Sequence, residues 1–127
     1  MPELDFRDVI AGPLRVVLEY RRTPEDEGPT VRVFGIVGEA EKQVLRFDCF
    51  QLDPHYHYDP DGADEVHHMR DEGIEDPAEW TLHRLERDLG EMIRRAGFGS
   101  LADRVNRNQI EENLPEIREI LLAPALS

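Results

Sequence analysis

Cysteine is almost missing from this chain. Cys49 stands alone among 127 residues, so no internal disulfide can form and the fold has to be held by its core. Long apolar runs are missing too; none approaches the roughly 20 residues of a membrane-spanning helix. The start, MPELDFRDVIAG, has no basic segment followed by an apolar stretch, so no signal peptide is expected. With one thiol and neither signal, the expected location is the cytoplasm. Glycine-rich phosphate loops and the GxSxG elbow do not occur, which removes the commonest nucleotide-binding and hydrolase signatures. Bases are scarce: 15 Lys and Arg face 28 Asp and Glu, a net charge of −13. That field repels phosphate backbones, so nucleic acid is disfavoured as a partner, while cations and basic proteins are attracted.

The acids that are present are unevenly spread. Between Asp53 and Glu79 lie ten acids and one base, Arg70, so this segment carries −9 of the −13. The plain explanation of such a run is a solvated loop; a cation-attracting surface is the functional one. The length suits one α+β domain over residues 1–127.

Three stretches read as strands. Pro13–Arg22 alternates, with Leu14, Val16, Leu18 and Tyr20 on one face. Thr30–Val37 is apolar on both faces except at Arg32, as a central strand would be. Gln43–Phe50 sets Leu45, Phe47 and Cys49 against Val44, Arg46, Asp48 and Phe50. Short connections make an antiparallel meander. HYHY and VHHM flank a DPDG turn and read as a small hairpin.

At Asp76 the period becomes helical. Asp76 is the expected N-cap, Pro77 the first helical residue and Glu79 the partner of a capping box. Ala78, Leu82, Leu85, Leu89, Met92 and Ala96 then draw one stripe, widened by Ile93, up to Gly97 or Gly99. Two short helices are expected after it. Ser100 caps the first, with Leu101, Val105 and Ile110; Pro115 opens the second, with Ile117, Ile120 and Leu121, and Pro124 ends it. The expected architecture is a meander of three or more strands packed on one long helix, followed by two short C-terminal helices. A homodimer through a sheet edge or the helices would protect the open strand edges.

Four of the five histidines fall within Phe47–His68. His55 and His57 share a strand face, an inexpensive way to place two imidazoles on one ion. If the DPDG turn folds the chain back, His67 or His68 reaches the same place, with Asp48 or Asp59 as an oxygen ligand. The candidate metal set is His55, His57, His67 and Asp48, and the donor chemistry suits a divalent ion such as zinc. A metal-free version has His55 and His57 as acid and base, with Arg46 or Arg70 steadying an oxyanion or phosphate. Polar loop histidines bonded to backbone are the plain alternative. Cys49 reads as a buried small hydrophobe, Trp80 as a cover for the sheet edge, His83 as a flanking side chain and NRNQ at 106–109 as polar helix surface.

The strand end RFDCF, then PHYH, a DPDG turn and a helix opening on DP, resembles small prokaryotic domains of unknown function. More distantly it resembles the TumE family of toxin–antitoxin toxins, over about Val44 to Ala96, through Arg46, Asp48, Pro54, His55 and His57. The asparagine that follows the aspartate in TumE-like strands is Cys49 here. That resemblance implies a toxin-like role and an RNA-directed activity.

Overall fold

The computed structural model describes residues 6–123. Pro124, expected to end the last helix, lies outside them. Six strands follow one another across one antiparallel sheet: β1 (Phe6–Ala11), β2 (Leu14–Arg22), β3 (Glu27–Val37), β4 (Ala40–Asp48), β5 (His55–Tyr58) and β6 (Glu65–His68). Four helices come after: α1 (Pro77–Arg87), α2 (Leu89–Arg95), α3 (Gly99–Ala102) and α4 (Arg107–Leu122).

The alternation read in β2, β3 and β4 sorts side chains onto two faces. Val31 pairs with Leu18 and Phe47, and Val33 with Val16 and Leu45, so one face is continuous hydrocarbon. Tyr56 and Tyr58 extend it on β5, opposite Phe47 and Leu45. The helices cover this face with Leu82, Leu85, Leu89, Ile93, Leu101, Ile117 and Leu121, all buried. Each such side chain contributes about 1.5–3 kcal/mol by leaving water. The register slips between Val33 and Phe34: Val33 pairs with Leu45 but Phe34 with Gln43. The slip leaves Val44 as the extra residue of a β-bulge, and Val44 is buried beside Leu45 rather than facing outward with Arg46.

β1 was not foreseen. It pairs with β2 from Phe6↔Glu19 to Ala11↔Leu14. Val9 and Ala11 face the core, yet Ile10 between them is 62% exposed, so the alternation that marks a strand is blurred. Gly12, at φ +62°, makes the tight turn into β2.

The helical region follows the stripe but not the expected segmentation. Asp76 caps α1, accepting from the Glu79 amide at 3.2 Å, and Pro77 opens it. The expected long helix breaks at Asp88, whose backbone (φ −124°, ψ 12°) is not helical. Leu89 and Met92 stay in phase with Leu82 and Leu85, so the periodicity runs through the elbow and hides it. The bend lets α1 pack on α4 while α2 packs on α3 and on strands β4 and β5. The two short C-terminal helices are replaced by a four-residue turn, α3, and by the 16-residue α4, with Asn106 rather than Ser100 as the main cap and Pro115 inside the helix. Pro115 cannot donate to the Glu111 carbonyl. The helix continues because Ile110, Ile117 and Leu121 form one buried stripe on both sides of it. Among the described residues no helix is long and apolar enough to cross a membrane.

Candidate acid–base site on the open face of the sheet

Residues that alternate with the core set form the sheet's second face, turned away from the helices. Across it run two rows. Thr30, Asp48, His55 and His68 are successive register partners from β3 to β6; Arg32, Arg46, His57 and Val66 form the next row. The H-x-H spacing on β5 therefore puts His55 opposite Asp48 and His57 opposite Arg46.

Asp48 is the centre of the cluster and is completely buried. Arg21 Nη1 and Thr30 Oγ1 each donate to its Oδ1 at 3.1 Å. Arg46 Nε donates to Oδ2 at 3.0 Å, and the Nε2 atoms of His55 and His57 each lie 3.2 Å from the same oxygen. Burial by itself pushes the Asp48 carboxyl upward. The contacts to His55 and His57 and the Arg46 charge outweigh it, and the group is held well below the usual carboxylate range.

The two rings are fixed by their other nitrogens. His55 Nδ1 lies 2.8 Å from the Asp53 carbonyl oxygen, and His57 Nδ1 lies 2.7 Å from Asp64 Oδ1. Both partners only accept, so both Nδ1 atoms carry protons. His57 Nε2 accepts from Arg46 Nη2 at 2.9 Å. Arg46 thus clamps the Asp48 Oδ2 and His57 Nε2 pair with two prongs of its fork. Among the described residues His55 Nε2 has only the carboxylate to face. The Asp48 hydrogen bond raises the His55 pKa above its ordinary 6.5, against the opposing effect of burial. The His55 and His57 ring centres are 5.0 Å apart, and Phe50 meets His55 edge-on at 5.7 Å.

Of the residues singled out in the sequence, Asp48, His55, His57 and Arg46 come together. His67 does not. It pairs with Tyr56, so it lies on the helix face, stacked on that ring at 5.1 Å. Its two nitrogens meet Glu65 Oε2 at 2.6 Å and Glu72 Oε2 at 3.1 Å. The expectation that His67 joins the set is corrected by strand alternation: His68 is the member of the pair on the open face. It contacts Asp53 at 3.0 Å and forms, with Asp53 and His55, a second, more exposed group of potential ligands. Asp59 is spent on its own turn, accepting from the Ala63 amide at 2.9 Å. Cys49 is buried against Thr81, and burial pushes its thiol up to about 12. Most of the acids between Asp53 and Glu79 also find hydrogen-bond partners, including Asp64 and Glu72, and Glu65 and Glu79 pair with Arg95 and Arg118.

Sequence reading missed Arg21 and Thr30 as members. Arg21 reaches Asp48 because its cross-strand partner is Gly28. A Cβ on Gly28 would lie 2.2 Å from the Cys49 carbonyl oxygen, so only glycine permits this close approach. An arginine on the polar side of β2, facing a glycine, was the available signal.

Together these features define a small α+β domain whose sheet presents a buried carboxylate ringed by two histidines and two arginines. The chain belongs to the family described as Domain of unknown function (DUF7700), which it matches over residues 8–121. No curated protein and no solved structure matches it. The family match supports the expected kinship with an uncharacterised domain; the TumE likeness gains nothing from it.

Proposed function

We propose that this cluster is an acid–base site for a substrate bearing an oxyanion. The observation that carries the reading is the position of His55, whose ring lies between two oxygens that only accept. Two acceptors face each other at 3.2 Å only with a cation bridging them: between His57 Nε2 and Asp48 Oδ2 the Arg46 guanidinium donates to both atoms, whereas at His55 a proton on Nε2 supplies the charge. His55 is then the acid and His57, unprotonated at Nε2, the base. Asp48 positions both. Arg46 and Arg21 keep guanidinium hydrogens outside the Asp48 network, and their side chains are 21% and 31% exposed, so they are available to an anion. Such a set suits hydrolytic or phosphoryl-type proton transfer.

The same spacing favours a second reading. Ligands of a tetrahedral zinc at about 2.0–2.1 Å lie about 3.3 Å apart. Asp48, His55 and His57 present three converging atoms, and each imidazole is held at Nδ1 as metal-bound histidines are. An ion there has to displace Arg46 from His57 Nε2 and sit beside a second guanidinium, which is why the proton is preferred.

One pair of measurements separates the readings. Nitrogen-15 NMR of protein made without a histidine tag and stripped with chelator should show His55 doubly protonated below neutral pH. Zinc titration by calorimetry should show no stoichiometric binding. Stoichiometric zinc uptake that disappears in H55A/H57A transfers the site to the metal reading. For the reaction itself, screening phosphate mono- and diesters should give turnover that falls at least 100-fold in H55A and in R46A; turnover unchanged in both sinks the acid–base role.

A further inference from the structure

The helix side of β5 holds a second feature, separate from the open face. A cleft of about 530 Å³ lies between β5 and the α1–α2 elbow, lined by Tyr56, Tyr58 and Trp80 and rimmed by Arg84, Arg94 and Arg95. Its size falls within the range of small-molecule sites. Trp80 and Arg84 of α1 and Met92 and Arg95 of α2 line the cleft from the two sides of the elbow at Asp88. Tyr56 and Trp80 rings stand 4.9 Å apart and tilted, while Tyr56 and Tyr58 meet edge-on at 5.8 Å. Arg95 lies over Tyr58 at 4.6 Å and Arg84 over Trp80 at 5.5 Å. The guanidiniums cover those two faces and Tyr56 and Tyr58 are buried, so the aromatic wall a flat ring meets is the half-buried Trp80.

Charge selects among flat rings. Three arginines line the cleft with Asp88 and Glu91, and the acids paired with Arg94 and Arg95 leave the choice to Arg84. Arg94 and Arg95 pair with Asp103 and Glu65, but both pairs are more than half exposed on the arginine side and contribute little. Arg84 differs. Its Nη1 pairs with Asp88, while among the described residues its Nε–H is shielded from solvent and has no acceptor. A shielded charged donor without a partner is unfavourable, and an incoming carboxylate supplies the missing acceptor.

We propose that this cleft binds a small planar aromatic carboxylate, its ring against Trp80 and its carboxylate on Arg84. A turn of the Arg84 side chain, which is 30% exposed, brings Nε–H to the ligand. The site is independent of the open-face cluster, since its side chains leave β5 on the opposite face.

Trp80 is the only tryptophan, so its indole N–H resonance reports on this place alone. The probe is 2-naphthoate, with 2-naphthamide as its uncharged match. The expected result is a saturable Trp80 shift with naphthoate and at least about tenfold weaker binding of the amide, the value of one charged hydrogen bond. Arg84→Gln should abolish that preference. Arg84→Lys keeps charge without the Nε–H and covers the case in which the glutamine variant does not fold. H55A/H57A should bind naphthoate as the parent does. Absence of a saturable shift, equal binding of the amide, or undiminished preference for naphthoate in the folded Arg84 variants would overturn the proposal.

Discussion

A single buried carboxylate organises the open face. Asp48 is bonded by residues from β2, β3, β4 and β5, and removing its charge leaves two guanidiniums and an imidazole without their counter-charge. Asp48→Asn should cost on the order of 3 kcal/mol, measured as a lower urea midpoint at unchanged m-value. The pH dependence follows from the same contacts in metal-free protein. His55 holds its proton more tightly when folded, so its contribution is complete below its ordinary value of 6.5 and is lost as pH rises through the raised folded value. Asp48 acts in the opposite sense. Its contribution is present above the unfolded value of about 3.9 and is lost as acid approaches the depressed folded value. Stability should therefore crest between roughly pH 4 and 6.5, and Asp48→Asn should flatten both limbs. A midpoint that climbs from pH 6.5 to 8 would contradict the assignment of the His55 proton. At Gly28 the sequence tolerates no side chain. Gly28→Ala forces a Cβ onto backbone at 2.2 Å and should cost about 2–3 kcal/mol while displacing Arg21 from Asp48, visible as a shift in the His55 titration.

Among the elements, those whose period matched their environment were legible. β2, β3 and β4 alternate cleanly, and the hairpin of β5 and β6 was marked by its turn residues and by β-rich arms. β1 escaped because one exposed isoleucine breaks a six-residue signal. The break at Asp88 escaped because an elbow between two turns of helix leaves the i, i+3, i+4 spacing intact. Pro115 misled in the other direction. Proline is a reliable stop only where nothing else pays for the missing bond, and here buried residues on both sides hold the helix together. Pro115→Ala restores a donor at an exposed position and should raise stability by about 1–2 kcal/mol, net of the lost rigidity of the unfolded chain. Urea unfolding checks it; a destabilised variant would mean that the proline ring fits this turn better than the helix ladder does. The candidate site was legible to the same extent as the strands. H-x-H and the aspartate at the end of β4 follow from alternation, whereas the choice of His68 over His67 needed the register of β6, which the turn length sets and composition does not reveal.

At the scale of the molecule, charge is the dominant stress. A net −13 on 127 residues repels itself, and the pairs formed by the 53–79 segment offset only part of it. Raising salt from about 0.02 to about 0.3 M should lift the melting temperature by about 2–4 °C through screening, read by calorimetry. A fall over that range would mean that attractive surface pairs outweigh the repulsion.

Because every strand hydrogen-bonds only with its neighbours along the chain, the sheet has low contact order and can zip up one hairpin at a time. Asp48, His55 and His57 span ten residues of adjoining strands, so their geometry belongs to a single local folding step. Thr30 and Arg21 arrive from farther back in the chain, Arg21 from the more distant strand. Folding should therefore bring the carboxylate and imidazoles together early, and complete the cationic rim only when β2 docks.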